Sequence, residues 1–293
     1  MTRARIEVPS VESKSLGDGV GYVAISQFNG NTGAQFVSAY RKLIDGGANG
    51  IVLDLRDDPG GYLDQAILVG RALIPQGVIV QIEDKAGNRR SYSTIPHEPG
   101  PPLVVLVNGN TASAAEIVAG AVQDHGVGTL VGTHTYGKAS VQSLHNLSGA
   151  GGLRLTEARY LTPSGRYIDK VGLTPDVQVP APGAGVFPEM PALGSRNLAP
   201  GASGTEVKGL QLRLDSLGYN PGPADGVFGP RTAAALHGFQ SDSGLAAGAA
   251  DAETLQALSA RIDAKRRTVV RERQLDRAVE ILRQKTSSVS NGG

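Results

Sequence analysis

The sequence predicts an α/β protein: a mixed-sheet core followed by a small unit of helices. Short apolar runs without alternation, Gly50–Leu55 and Val104–Val107, read as strands covered on both faces. Segments of helical period lie between such runs, and that alternation implies an α/β core. Beyond Pro180-Ala181-Pro182-Gly183-Ala184-Gly185, a linker by composition, the apolar spacing becomes helical with glycine corners.

Taken in order, Arg3 to Val11 reads as extended chain, and Gly21–Ile25 as a strand. Asn31-Thr32 starts a helix through Phe36, Val37, Tyr40 and Leu43-Ile44, stopped by Gly46-Gly47. The strand Gly50–Leu55 leads into a sharp loop, Arg56-Asp57-Asp58-Pro59-Gly60-Gly61, and a helix through Ala66, Ile67, Val69 and Leu73. Val78–Ile82 and Arg89–Thr94 form a hairpin around Gly87-Asn88. The strand Val104–Val107 then meets Asn108-Gly109-Asn110, which is turn chemistry, and an alanine-rich helix to Val122. Ser113 therefore sits at a strand–turn–helix junction, where free helix N–H groups can hold an anion. Serine is also a preferred helix cap, so this position alone leaves both roles open. Thr129–Gly132, Leu153–Thr156 and Arg159–Thr162 read as further short strands, and Val171–Val179 closes the unit.

The second unit carries Val207–Leu217 at helical spacing, a turn at Asp225–Gly229, a helix capped by Thr232 and a short third helix capped by Asp251. The pattern Gly204, Val207, Leu210-Gln211, Leu217-Gly218-Tyr219, Asp225–Gly229, Thr232, Phe239-Gln240, Gly244-Leu245, Asp251 and Thr254 closely resembles the peptidoglycan-binding-like domain of bacterial cell-wall enzymes. That resemblance implies a wall-glycan or stem-peptide anchor, although the matched residues are mostly packing and turn positions. Arg261 to Arg273 is a basic connector. Leu275, Ala278, Val279 and Leu282 share one helical face, which needs the core or a second subunit to cover it. Thr286 to Gly293 reads as a disordered tail. The expected organisation is 1–180 core, 181–200 linker, 201–262 helical module and 263–293 terminal helix.

Composition excludes several chemistries. With no Cys, disulfides, thiolate catalysis and Cys-zinc sites are ruled out. A net charge of +1 and the absence of Trp argue against a nucleic-acid partner. No segment approaches a membrane span, and the first residues lack the apolar stretch of an export signal.

Ser113 needs a base. Five histidines are available: His97, His125, His134, His145 and His237, with Asp124-His125 as the tempting pair. Lys138, after a glycine-bounded loop, is the better candidate. A neutral lysine can take a serine proton, and Gln142 lies on the same side of the chain whether the segment is helical or extended. Gly132 to Lys138 also fits a phosphate-loop pattern with Asp54 as a metal acid. The following residue is Ala139, however, where Ser or Thr is needed, so nucleotide binding is not expected. A serine–lysine mechanism implies no metal or other cofactor.

Together, Gly21-Tyr22-Val23, Ile25, Phe28, Asp54–Gly61, Val107-Asn108, Thr111–Ile117, Gly132, Tyr136–Gln142 and Leu161–Arg166 resemble the carboxy-terminal processing proteases, which are tail-specific serine–lysine proteases. The match covers roughly residues 3–180. It implies a core of crotonase or Clp-protease type and an endopeptidase acting near the C-terminal ends of proteins. By position, Ser113 is the nucleophile, Lys138 the general base and Gln142 its orienter. The backbone N–H groups of Gly61 and Ala114 form the oxyanion hole, and Glu116 is structural. The resemblance further implies a bacterial extracytoplasmic setting, a protein substrate with an accessible C-terminal segment, a peptidoglycan contact and a homodimer. The family ordinarily carries a PDZ domain ahead of this core, and Arg3–Val11 resembles the strand just after it, so a PDZ-less chain is expected. Two alternatives remain: an inactive or gated variant serving as a cell-wall-binding module, and a crotonase-like enzyme acting on coenzyme A thioesters.

Overall fold

The computed structural model describes residues 9–147, 151–179, 187–194 and 196–290. They fall into two compact units, Met1–Val179 with Gln274–Gly293, and Pro180–Arg273. The expected extended chain from Arg3 and the linker at Pro180–Gly185 fall almost wholly outside the described residues.

In the first unit the elements run β1 (Val11–Ser15), β2 (Val20–Ile25), α1 (Thr32–Asp45), β3 (Gly50–Asp54), α2 (Leu63–Leu73), β4 (Val78–Asp84), β5 (Arg89–Ser93), β6 (Leu103–Val107), α3 (Ala114–Asp124), β7 (Gly128–Gly132), β8 (Ser140–Leu147), β9 (Gly151–Leu161) and β10 (Val177–Gln178). A six-stranded sheet has the order β1-β2-β3-β6-β7-β10, parallel except for β1. A second, antiparallel sheet has the order β5-β4-β9-β8.

The two-faced burial of the central strands accounts for their unbroken apolar runs. Leu53 and Val105 join the larger core with Phe36, Ile67, Val69 and Val118 from α1, α2 and α3. Their neighbours Val52 and Val104 face the other way and pack with Ala278, Ile281 and Leu282. Those three come from the end of α6 (Ala252–Ser290), so the last turns of the chain cover the sheet's second face.

The second unit holds α4 (Thr205–Ser216), α5 (Pro230–Asp242) and the first part of α6, around Val207, Leu210, Leu214, Phe228, Leu236, Phe239 and Leu258. Gln211 is buried at its centre. Its Nε2 donates to Asp225, the Val227 carbonyl and Thr232, while its Oε1 accepts the Gly226 N–H. Gln240 pins the Gly248–Ala249 turn in the same way. Both glutamines of the module's pattern are therefore hydrogen-bonding anchors for turns.

Several expectations are corrected. Val11–Ser15 forms a strand that the sequence reading does not include. Leu153–Thr156 and Arg159–Thr162 belong to one continuous strand, β9. Thr232 lies inside α5, which begins with Pro230 at its first position. The Thr232 hydroxyl serves Gln211 rather than a cap. The third helix is not short: no Gly or Pro interrupts Ala252 to Ser290, so module, basic connector and terminal segment form one helix of 39 residues. Thr286–Ser290, expected to be disordered, is its last stretch. Asp251 does cap it, accepting the Thr254 N–H.

Candidate active site

The end of β6 and the loop after β3 are laced together before either reaches the cleft. Thr111 Oγ1 donates to the Leu55 carbonyl at 2.7 Å and accepts the Asn108 N–H. Asp57 accepts the side-chain amides of Asn108 and Asn110. The chain then turns through Ser113 at φ 55° and ψ −117°, a positive φ uncommon for a residue with a Cβ.

Buried Glu116, three residues on, sets that turn. Its carboxylate accepts the N–H groups of Ser113 (2.9 Å), Gly137 (2.8 Å) and Lys138 (2.9 Å), and the Thr135 hydroxyl (2.6 Å). One side chain thus fixes the backbone of Ser113 and Lys138 together. Tyr160, also buried, donates its hydroxyl to the Ser113 carbonyl at 3.1 Å. Burial, and then the charges of Glu116 and Asp169, push its phenol well above the usual range, so it remains a donor.

The Gly60-Gly61 turn lies directly against this junction. An added Cβ on Gly60 would come within 2.8 Å of the Ser113 Cβ, and Gly61 has φ +151°. Phe28 pairs with the turn through the Gly60 carbonyl and the Tyr62 N–H, which leaves the Gly61 N–H pointing away from that pairing. Among the described residues neither the Gly61 nor the Ala114 N–H donates to an acceptor. A Cβ on Gly61 would collide with the Phe28 carbonyl. Gly61→Ala is therefore expected to displace the turn and lower kcat about a hundredfold or more, the loss typical of one oxyanion donor. Unchanged kcat on a peptide substrate would remove Gly61 from the site.

These parts line one cleft of about 460 Å³: Gly60, Gly61, Ser113, Ala114, Lys138, Gln142, Arg154 and Tyr160 are among its walls. Ser113 and Lys138 are half-buried there, and Gln142 is exposed on β8. All five residues expected from the sequence reach this cleft. Gln142, however, donates its amide to Thr156 Oγ1 at 3.3 Å, across to β9, rather than to Lys138. Tyr160, Asp58 and Arg154 were not anticipated.

No histidine lines the cleft. His125 bonds to the Val78 carbonyl, His134 to the Val171 carbonyl and His145 to Glu157. Asp124 is held by Ser164 and Arg166. The phosphate-loop pattern also has a structural explanation: its Gly137 and Lys138 N–H groups already bind the Glu116 carboxylate. Asp54 is buried in an ion pair with Arg56 and accepts the Tyr22 hydroxyl.

Comparison with known proteins identifies two families along the chain. Residues 19–179 match peptidase family S41, and residues 203–258 match a putative peptidoglycan binding domain. The carboxy-terminal processing protease CtpB of Bacillus subtilis is 32% identical over 286 residues, 96% of this chain and 59% of that protein. This chain belongs to peptidase family S41. A carboxyl-terminal-processing protease of Synechocystis is 42% identical over 167 residues, covering 57% of this S41 chain and 39% of the relative. Among solved structures, a photosystem II D1 C-terminal processing protease superposes with a TM-score of 0.54 at 37% identity, over 64% of this chain and 52% of its own. The chain therefore spans between about two fifths and three fifths of the length of these S41 relatives.

Proposed function

We propose that the chain is a serine endopeptidase that cleaves proteins near their C-termini with Ser113 as nucleophile and Lys138 as general base. The observation that carries this reading is the convergence of Ser113, Lys138 and two unengaged N–H groups on one cleft. Lys138 Nζ takes the Ser113 proton as Oγ adds to the substrate carbonyl. The Gly61 and Ala114 N–H groups hold the resulting oxyanion, helped by the positive end of α3. Lys138 then gives the proton to the leaving amine, and water hydrolyses the acyl-enzyme. Gln142 orients Lys138 once its amide leaves Thr156.

The Gln142–Thr156 bond favours a second reading, a gated enzyme in which this bond is the resting state. The helical module, by its likeness to peptidoglycan binding domains, serves as a wall contact in an extracytoplasmic setting, and the assembly is a homodimer.

Hydrolysis of casein by the full chain, beside Ser113→Ala and Lys138→Ala, tests the mechanism. Cleavage is expected from the parent and from neither variant. Retained cleavage in Lys138→Ala would exclude the serine–lysine mechanism, and a parent inactive under all conditions would favour the gated reading.

A further inference from the structure

The chemistry of the cleft wall goes beyond the catalytic groups, because its charge is one-sided. Lys138 and Arg154 line the cleft and no Asp or Glu does, among the described residues. The acids nearest in sequence are engaged elsewhere, Asp64 by the Gln65 amide among them. Glu116 is buried under four donors. Asp58 is buried beneath Gly60, whose N–H it accepts. Glu157 is tied to Ser143 and His145.

Strand register places Arg154 on the catalytic side of the arm. Gln142 stands opposite Thr156 and shares a hydrogen bond with it. Directly opposite residues share a face, and so do residues two apart along a strand. Arg154 is two residues from Thr156 on β9, so it stands on the face of Gln142, about 7 Å further along the sheet. Its guanidinium is exposed and takes no acceptor among the described residues. Of the other arginines of the antiparallel sheet, Arg89 and Arg159 both bind Glu83 and Arg90 lies over the Tyr92 ring.

We propose that Arg154 is a specificity residue that binds a carboxylate of the substrate chain, on the Gln142 side of the bond held at Ser113. This deepens the peptidase reading and rests on it for the position of the scissile bond. A guanidinium presents a fork of N–H donors that fits a carboxylate two-fold. The carboxylate can be an Asp or Glu side chain, or the terminal carboxylate of a chain cut close to its end.

Binding to the Ser113→Ala form of the full chain tests this without turnover. The probes are fluorescein-labelled alanine-rich peptides that carry one Glu, or Gln in its place, each as free acid and as C-terminal amide. The Glu or free-acid form is expected to bind roughly fivefold to tenfold more tightly than its neutral counterpart. Which substitution weakens binding identifies the source of the carboxylate. Added Arg154→Ala should bring the ratio to about one, and Arg154→Glu should invert it in favour of a Lys peptide. High salt should shrink the preference, as expected for a solvent-facing pair. Equal affinities for all four probes, no measurable binding of any, or a ratio untouched by Arg154→Glu would each overturn the assignment. If the preference holds while the parent chain cleaves nothing, the carboxylate site stands and the gated reading is favoured over an active peptidase.

Discussion

Glu116→Ala is expected to leave the first unit unable to fold stably. The substitution strands three N–H groups and a hydroxyl: those of Gly137 and Thr135 are buried, and those of Ser113 and Lys138 half-buried. Each orphaned buried donor costs about 1–3 kcal/mol, so the sum reaches or exceeds roughly 5 kcal/mol, comparable with the whole stability of many domains. Glu116→Gln separates charge from shape. Its amide oxygen can keep two of the donors, but its NH2 must face the other two, and a loss of about 3 kcal/mol is expected. The Gln variant should also lose peptidase activity beyond its fraction unfolded, because the same carboxylate aligns Ser113 with Lys138. Denaturant unfolding followed by far-UV circular dichroism, with activity measured at matched folded fraction, checks both statements. A Glu116→Ala chain with a parental midpoint would show that the four bonds contribute little.

The candidate site residues that line the cleft were legible in the sequence because each sits beside a local signal. Ser113 follows a buried strand and a turn, Gly60-Gly61 is a pair that can adopt positive φ, and Lys138 follows a glycine-bounded loop. The central strands were legible for a related reason: Val52 and Leu53 both need apolar cover, and a sheet buried on both faces supplies it. What stayed hidden depends on partners distant in sequence. Tyr160 reaches the Ser113 carbonyl from 47 residues away, and nothing local marks it. β1 is an edge strand of mostly exposed polar residues, so it has no apolar alternation to detect. The unity of α6 was obscured because charge changes along it, at Arg261–Arg273, while the backbone signals do not. Thr232 was misassigned because a preferred cap residue lay next to the stronger start signal of Pro230. Gln142 shows a further limit: spacing put it on the correct side, but its partner in this structure is Thr156.

Asp58→Asn is expected to stabilise the first unit at alkaline pH and to leave it nearly unchanged in acid. Asp58 is fully buried; one carboxylate oxygen accepts the Gly60 N–H at 2.8 Å, and the other has no partner among the described residues. Burial, opposed only by that hydrogen bond, raises its pKa from an ordinary 3.8 to about 7. Between those values the folded chain holds a proton that the unfolded chain has released. Stability contributed by this group is therefore present below about pH 4, falls as pH rises towards 7, and is constant above. Asparagine keeps an oxygen for Gly60 and cannot ionise, so the slope disappears. The variant should gain on the parent progressively through this window, by up to about 4 kcal/mol at pH 8. The loop it supports carries both the Gly60-Gly61 turn and the carbonyl that accepts the Ala112 N–H, one residue before Ser113. Urea unfolding of both chains at pH 5, 6.5 and 8 measures the effect, since the titrations of all other groups largely cancel in the difference. Parallel stability curves would mean that the carboxyl finds compensation for its charge in the folded chain. Curves that diverge with rising pH would identify Asp58 as a stabilising target that leaves Ser113, Lys138 and the two N–H groups in place.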